Sequence, residues 1–142
     1  MTDLLLYCTE PAEERYLAGL LPIVGERMGV PLCIQVCRTR REFFHRGRTG
    51  SRQILLYVSR GPDSAARAVQ VHESCPGNWL VWFCDLDFSL LAYHMGITYF
   101  GLLPVCEGQV ADALKSFQNL TWERLPNTGR REAAKKAAVI KE

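Results

Sequence analysis

Cys8 closes an apolar run from Asp3 and is followed by Thr9-Glu10-Pro11-Ala12-Glu13-Glu14 ahead of Arg15. A cysteine at the end of a strand, with a loop and an arginine behind it, is a pattern for a thiolate that attacks a phosphoryl group. That chemistry needs glycines and free backbone N–H groups to cradle the phosphate. Here the two glutamates would repel the anion, Pro11 removes an N–H, and Arg15 falls one residue beyond the five-residue gap such a cradle uses. Cysteine-based phosphotransfer is the third and weakest reading of the chain.

Cys8, Cys84 and Cys106 could instead meet as a soft-metal or redox site. No histidine is spaced beside them, so three small buried hydrophobes are the better expectation, with no metal and no cofactor. His45, His72 and His94 fall on separate helical segments and are expected at the surface. Nucleotide chemistry lacks its motifs, since there is no GxGxxG, no Walker loop and no flavin phosphate loop after the first strand. The remaining charged constellation is an arginine cluster, Arg38, Arg40, Arg41, Arg46, Arg48, Arg52 and Arg60, with only Glu42 opposed. Such a patch is either a solvated face or a contact for an acidic partner or nucleic acid, which would make the chain a stand-alone adaptor.

The elements that would position these residues follow from periodicity. Asp3–Cys8 reads as a strand, and Pro11, Glu13 and Glu14 mark a helix start carrying Leu17, Leu20, Leu21, Val24 and Met28 at helical spacing. Pro22 should kink or split that helix. Leu32–Cys37 is a second strand, Thr39–Arg46 a short helix with Phe43 and Phe44 inward, and Arg48–Arg52 a loop. Gln53–Ser59 is apolar enough to be buried on both faces, Gly61-Pro62-Asp63 is a turn, and Ser64–Glu73 is helical. After the Pro76-Gly77-Asn78 turn come a strand to Cys84, a helix over Asp87–Met95, a fifth strand opened by Gly96, a Leu-Pro turn and an amphipathic helix to Phe117. Strands alternating with helices predict an α/β, flavodoxin-like three-layer sandwich around a parallel sheet of order 2-1-3-4-5, with any site at the carboxyl ends of the strands.

With 142 residues the chain suits one domain, read as 1–119, followed by a basic linker or helix over 120–142. Residues 1–123 carry 11 basic and 13 acidic side chains, and residues 124–142 carry 6 and 2, so the body is near neutral and the tail basic. The six cysteines contain no CxxC pair and are expected as buried thiols rather than a disulfide framework. No apolar run approaches the ~20 residues of a membrane span, and a cytoplasmic location is expected.

The segment from Trp79 to Phe117 carries a resemblance. Phe88, Leu90, Ala92 and Tyr93 fall where a helix of the type YALEAF places its pattern, Gly96 matches the following Gly, and Phe100, Leu102, Pro104 and Val105 follow DYLLKPV. This resembles the second half of response-regulator receiver domains, in particular receivers that precede LytTR-type DNA-binding domains. The resemblance implies a CheY-like fold over roughly residues 3–118. It also implies a phosphoryl site in which an acidic pair from strand one, an aspartate from strand three, a hydroxyl from strand four and a lysine from strand five surround Mg²⁺.

Laid on this chain, those positions fall on Cys8 and Thr9, with Glu10 and Pro11 following; on Val58 or Ser59; on Phe83 or Cys84; and on Leu103. Every required group is replaced, so the resemblance is to a pseudo-receiver that takes no phosphate. Phe100 occupies the switch-aromatic position and is expected to be fixed packing. The family's output face, the fourth helix, fifth strand and fifth helix, would offer Phe88, Leu91, Tyr99 and Ala111 to a homodimer. Family architecture also implies a DNA-binding domain downstream, outside this chain, and hence a non-enzymatic part in transcription regulation.

Overall fold

A computed structural model of the protein describes residues 1–123. Its order is β1 (Thr2–Cys8), α1 (Pro11–Arg27), β2 (Leu32–Val36), α2 (Arg40–Thr49), β3 (Ile54–Ser59), α3 (Ser64–Ser74), β4 (Trp79–Cys84), α4 (Ser89–Met95), β5 (Tyr99–Leu102) and α5 (Glu107–Glu123). The five strands form one parallel sheet in the order β2-β1-β3-β4-β5, as the strand–helix alternation predicts.

Period-two alternation divides β1, β3, β4 and β5 between two cores, while the edge strand β2 packs on one. Leu4, Leu6, Ile54, Leu56, Val58, Val81 and Phe83 pack with Leu17, Leu21 and Val24 of α1 and Val110, Leu114 and Phe117 of α5. On the other face Leu5, Leu55, Tyr57, Leu80 and Trp82 pack with Phe43 of α2, Ala68 and Val71 of α3, and Ala92 of α4. β3 and β4 lie in the middle of the sheet and are buried at every residue, which explains their unbroken apolar sequences.

Four local expectations change. α1 runs unbroken through Pro22, because Pro22 is exposed and the carbonyl its missing N–H would have paired can be hydrated. α2 continues to Thr49, through part of the expected loop. Its start is fixed at Thr39, whose hydroxyl accepts the Glu42 amide at 3.1 Å, while the Glu42 carboxylate accepts the Arg38 amide at 3.0 Å. Gly47 lets α2 lie against Cys75, since a Cβ there would stand 2.8 Å from the Cys75 sulfur. Gly96 caps α4 in the left-handed region (φ +70°) and β5 begins at Tyr99. α5 extends past the expected boundary at residue 119, to Glu123; the rest of the basic tail, 124–142, lies outside the described residues.

Candidate functional site at the carboxyl edge of the sheet

Parallel pairing sets the ends of β1, β3, β4 and β5 side by side. Cys8 is in register with Val58, Ser59 with Cys84, and Cys84 with Leu102. The Thr9 amide donates to the Val58 carbonyl at 3.1 Å and the Leu103 amide to the Cys84 carbonyl at 2.9 Å, so the ladder continues one residue beyond β1 and β5. The edge therefore gathers the positions expected from sequence, and their chemistry is apolar. Val58, Phe83 and Cys84 are buried, Leu103 packs on the core, and Thr9 and Glu10 are exposed.

The hydroxyl and thiols here are poor nucleophiles. Ser59 Oγ is buried without a hydrogen-bond partner among the described residues, and no base reaches it. Beside it, burial raises the Tyr57 phenol; the Ser59 hydroxyl works against that rise without meeting hydrogen-bond geometry. Burial first, then the charges of Glu13 and Glu14, pushes the Cys8 thiol up to about 12. Cys8 and Cys84 belong to opposite faces of the sheet and Cys106 is exposed, so the possible three-cysteine site does not form. Cys33 is exposed as well, so the expectation of buried thiols fails at Cys33 and Cys106. Among the described residues no three His, Cys, Asp or Glu side chains come together as metal ligands. A thiol, an alcohol and aliphatic groups do not fit Mg²⁺, which requires hard oxygen ligands with charge.

Glu13, Glu14 and Asp85, three acids near the edge, are engaged by protein groups. Arg60, following β3, pairs with Glu13 at 3.3 Å, and Arg38, following β2, pairs with Glu14 at 2.7 Å. Asp85, following β4, accepts the Gly61 amide at 2.9 Å and the Cys84 S–H at 3.5 Å. The Gly61 bond is the main reason its carboxyl lies below the usual range. These contacts tie the loops after β2, β3 and β4 together and to the first turn of α1. In the sequence Glu13 and Glu14 stand out as helix-start markers and as charges that repel an anion behind Cys8, not as halves of ion pairs. Their partners are 24 and 47 residues away, and no local pattern joins them. An open cleft of about 290 Å³ remains between α1, Arg60 and the β5–α5 connection, lined by Ala12, Glu13, Tyr16, Arg60, Pro104 and Val105.

Beside this edge, the expected contact face is built differently from its sequence assignment. Phe88 stacks on Trp82 with ring centroids 5.5 Å apart, Leu91 packs on the same core, and Tyr99 and Ala111 pack on the other. All four are half-buried, Phe88 and Leu91 turned to the sheet by α4, Tyr99 by β5 and Ala111 by α5. The side chains that stand outward are Leu86, Leu90, Tyr93 and Leu102, with Leu90 71% and Tyr93 81% exposed. Every residue from Leu90 to Tyr93 is apolar, so periodicity could not select the outward pair. Phe100 meets Trp82 edge-on at 4.9 Å, a packed position. The expected arginine patch is exposed throughout; Arg38 and Arg60 are drawn into ion pairs, and the other five have none among the described residues.

No family model and no curated protein sequence matches this chain. Solved structures do resemble it in fold. A response regulator receiver domain protein from Clostridium thermocellum superposes with a TM-score of 0.65 at 14% identity, covering 85% of this chain and 98% of that one. A CheY-like receiver domain protein from Methanospirillum hungatei gives 0.64 at 12% identity, covering 88% and 99%. The pilus assembly protein CpaE from Caulobacter crescentus gives 0.58 at 16% identity, covering 82% and 99%. The sheet order and these superpositions together give the chain the flavodoxin-like, CheY-like receiver fold.

Proposed function

We propose that this chain is a receiver-fold signalling module that accepts no phosphoryl group by the receiver route and is not an enzyme. In this reading it acts through protein contacts, as a homodimer formed on the side of α4, β5 and α5. The observation that carries this reading is the donor set at the carboxyl edge. By the receiver resemblance, Cys8 and Thr9, Val58 or Ser59, Phe83 or Cys84, and Leu103 take the places of the carboxylates, the hydroxyl and the lysine, and the nearby acids Glu13, Glu14 and Asp85 are held by Arg60, Arg38 and Gly61. Val58 and Ser59 give no aspartyl nucleophile on β3, and Leu103 gives no cation after β5 to clamp phosphoryl oxygens. The contact surface is supported by the outward Leu86, Leu90, Tyr93 and Leu102.

The LytTR-like pattern of α4 and β5 favours a downstream DNA-binding partner domain and a cytoplasmic role in transcription. The fold alone does not fix that output, since a pilus assembly protein shares it. Incubation with acetyl phosphate and Mg²⁺, read by intact-protein mass spectrometry, should leave the mass unchanged. A phosphoryl adduct on any residue would overturn the reading.

A further inference from the structure

The charge of the body is strongly divided. Residues 38–60 hold seven arginines against Glu42, net +6, while the other residues of 1–123 hold four basic and twelve acidic side chains, net −8. Within the basic segment, Arg38 and Arg60 are spent on Glu14 and Glu13, and Glu42 caps α2 through the Arg38 amide. Arg40, Arg41, Arg46, Arg48 and Arg52 remain exposed with no ion pair among the described residues. At about 100° per residue, Arg41, His45 and Arg48 form one stripe along α2, turned away from the buried Phe43 and Gly47. Arg40 and Arg46 lie to either side of the buried face, more than about 100° round the helix from that stripe, and Arg52 follows α2 in the turn before β3.

We propose that this α2 face binds the phosphate backbone of duplex DNA without reading its sequence. Three features favour that occupant. Cations alone suffice for backbone binding, and the planar guanidinium fork matches phosphate oxygens two at a time. A protein partner would need apolar anchors at the centre of the contact, and none of the exposed large hydrophobic side chains among the described residues lies between Val24 and Asp85. A single strand would need exposed aromatic platforms for its bases, and on α2 Phe43 is buried and Phe44 packs on the core. The acidic remainder of the body turns only this face toward the polyanion. The site is separate from the carboxyl edge and stands whether or not that edge accepts phosphate.

Fluorescence anisotropy of the full chain with a labelled duplex of about 20 base pairs tests this at roughly 50 and 200 mM salt. Contacts from Arg41, Arg48 and Arg52 give a salt slope of about −2.7, so affinity should fall about 40-fold over that range. R41E/R48E should weaken low-salt binding at least tenfold and flatten the slope by about 1.8, and R41Q/R48Q should act in the same direction. Half that charge change, placed at exposed Arg15 on α1 as R15E, should cost less than threefold by the long-range part of the same interaction. The tail variant K135E/K136E should cost less than R41E/R48E. The proposal is overturned by no binding at low salt, by equal losses in R15E, by binding that depends on the tail alone, or by tighter binding of single strands or polyglutamate. Circular dichroism melts of each variant separate lost binding from lost folding.

Discussion

Arg60 meets Glu13 twice, Nη2 to Oε2 and Nε to Oε1, each at 3.3 Å, across the carboxyl edge of the sheet. Glu13, with Glu14, also raises the Cys8 thiol, second only to burial. One carboxylate thus joins the β3–α3 loop to α1 and disfavours a thiolate at the end of β1. Where the receiver resemblance implies a bound cation, an arginine already holds the neighbouring acid.

Thiol labelling should reflect that arrangement. At pH 8 the exposed Cys33 and Cys106 should react promptly with a disulfide reagent, while Cys8, Cys37, Cys75 and Cys84 wait for the fold to open. Glu13→Gln should leave Cys8 slow, because burial outranks the carboxylate among the causes. Peptide mapping of the modified sites checks both statements, and prompt labelling of Cys8 in the native protein would contradict them.

Alkaline pH should destabilise the domain. Cys8 and Cys37 are pushed up to about 12 and about 11 from 9.0, burial being the first cause for each. Above pH 9 the unfolded chain releases protons that the folded state retains, so stability falls as pH rises toward 11–12, and below 9 these groups contribute no slope. Urea midpoints at pH 8 and about pH 10.5 should drop accordingly, with a shallower drop in Cys8→Ala.

Association should depend on the outward side of α4. Leu90→Arg and Tyr93→Arg change residues 71% and 81% exposed, so both should convert a dimer to a monomer in light scattering while melting within a few degrees of wild type. Leu91→Arg should instead destabilise the fold, because that side chain is half-buried against the core. A wild-type monomer would remove the proposed contact face.

Gly101 should tolerate no side chain. A Cβ there would lie 2.5 Å from Phe83 Cε1 and 2.7 Å from Cδ1, and Phe83 is fully buried in the middle of the sheet. Gly101→Ala should cost about 1–3 kcal/mol in denaturant titrations, the usual range for overpacking a core.

Pro22→Ala should have the opposite sign. It restores a helix N–H on the exposed side of α1, and the interior-proline penalty of about 3 kcal/mol is an upper bound for the gain. Increased entropy of the unfolded chain takes back about 0.4–1 kcal/mol, so a rise in melting temperature is expected.

Much of the fold was legible because its cause is local. The unbroken apolar runs of β3 and β4 signalled strands covered on both faces, Pro11 with Glu13 and Glu14 marked the start of α1, and Gly61-Pro62-Asp63 marked the turn before α3. Strand and helix alternation then left a parallel doubly wound sheet as the consistent arrangement. The positions at the carboxyl edge could also be named from sequence, because the receiver resemblance assigns them to the ends of the strands. What only tertiary structure decided was which groups meet there and which faces remain open. Arg60 with Glu13, Arg38 with Glu14 and Gly61 with Asp85 are separated by 47, 24 and 24 residues, and their meeting is a product of strand order. The same holds for α4, where an all-apolar turn has no inward side until the sheet supplies one: Leu91 and Phe88 went in, and Leu90 and Tyr93 were left facing out.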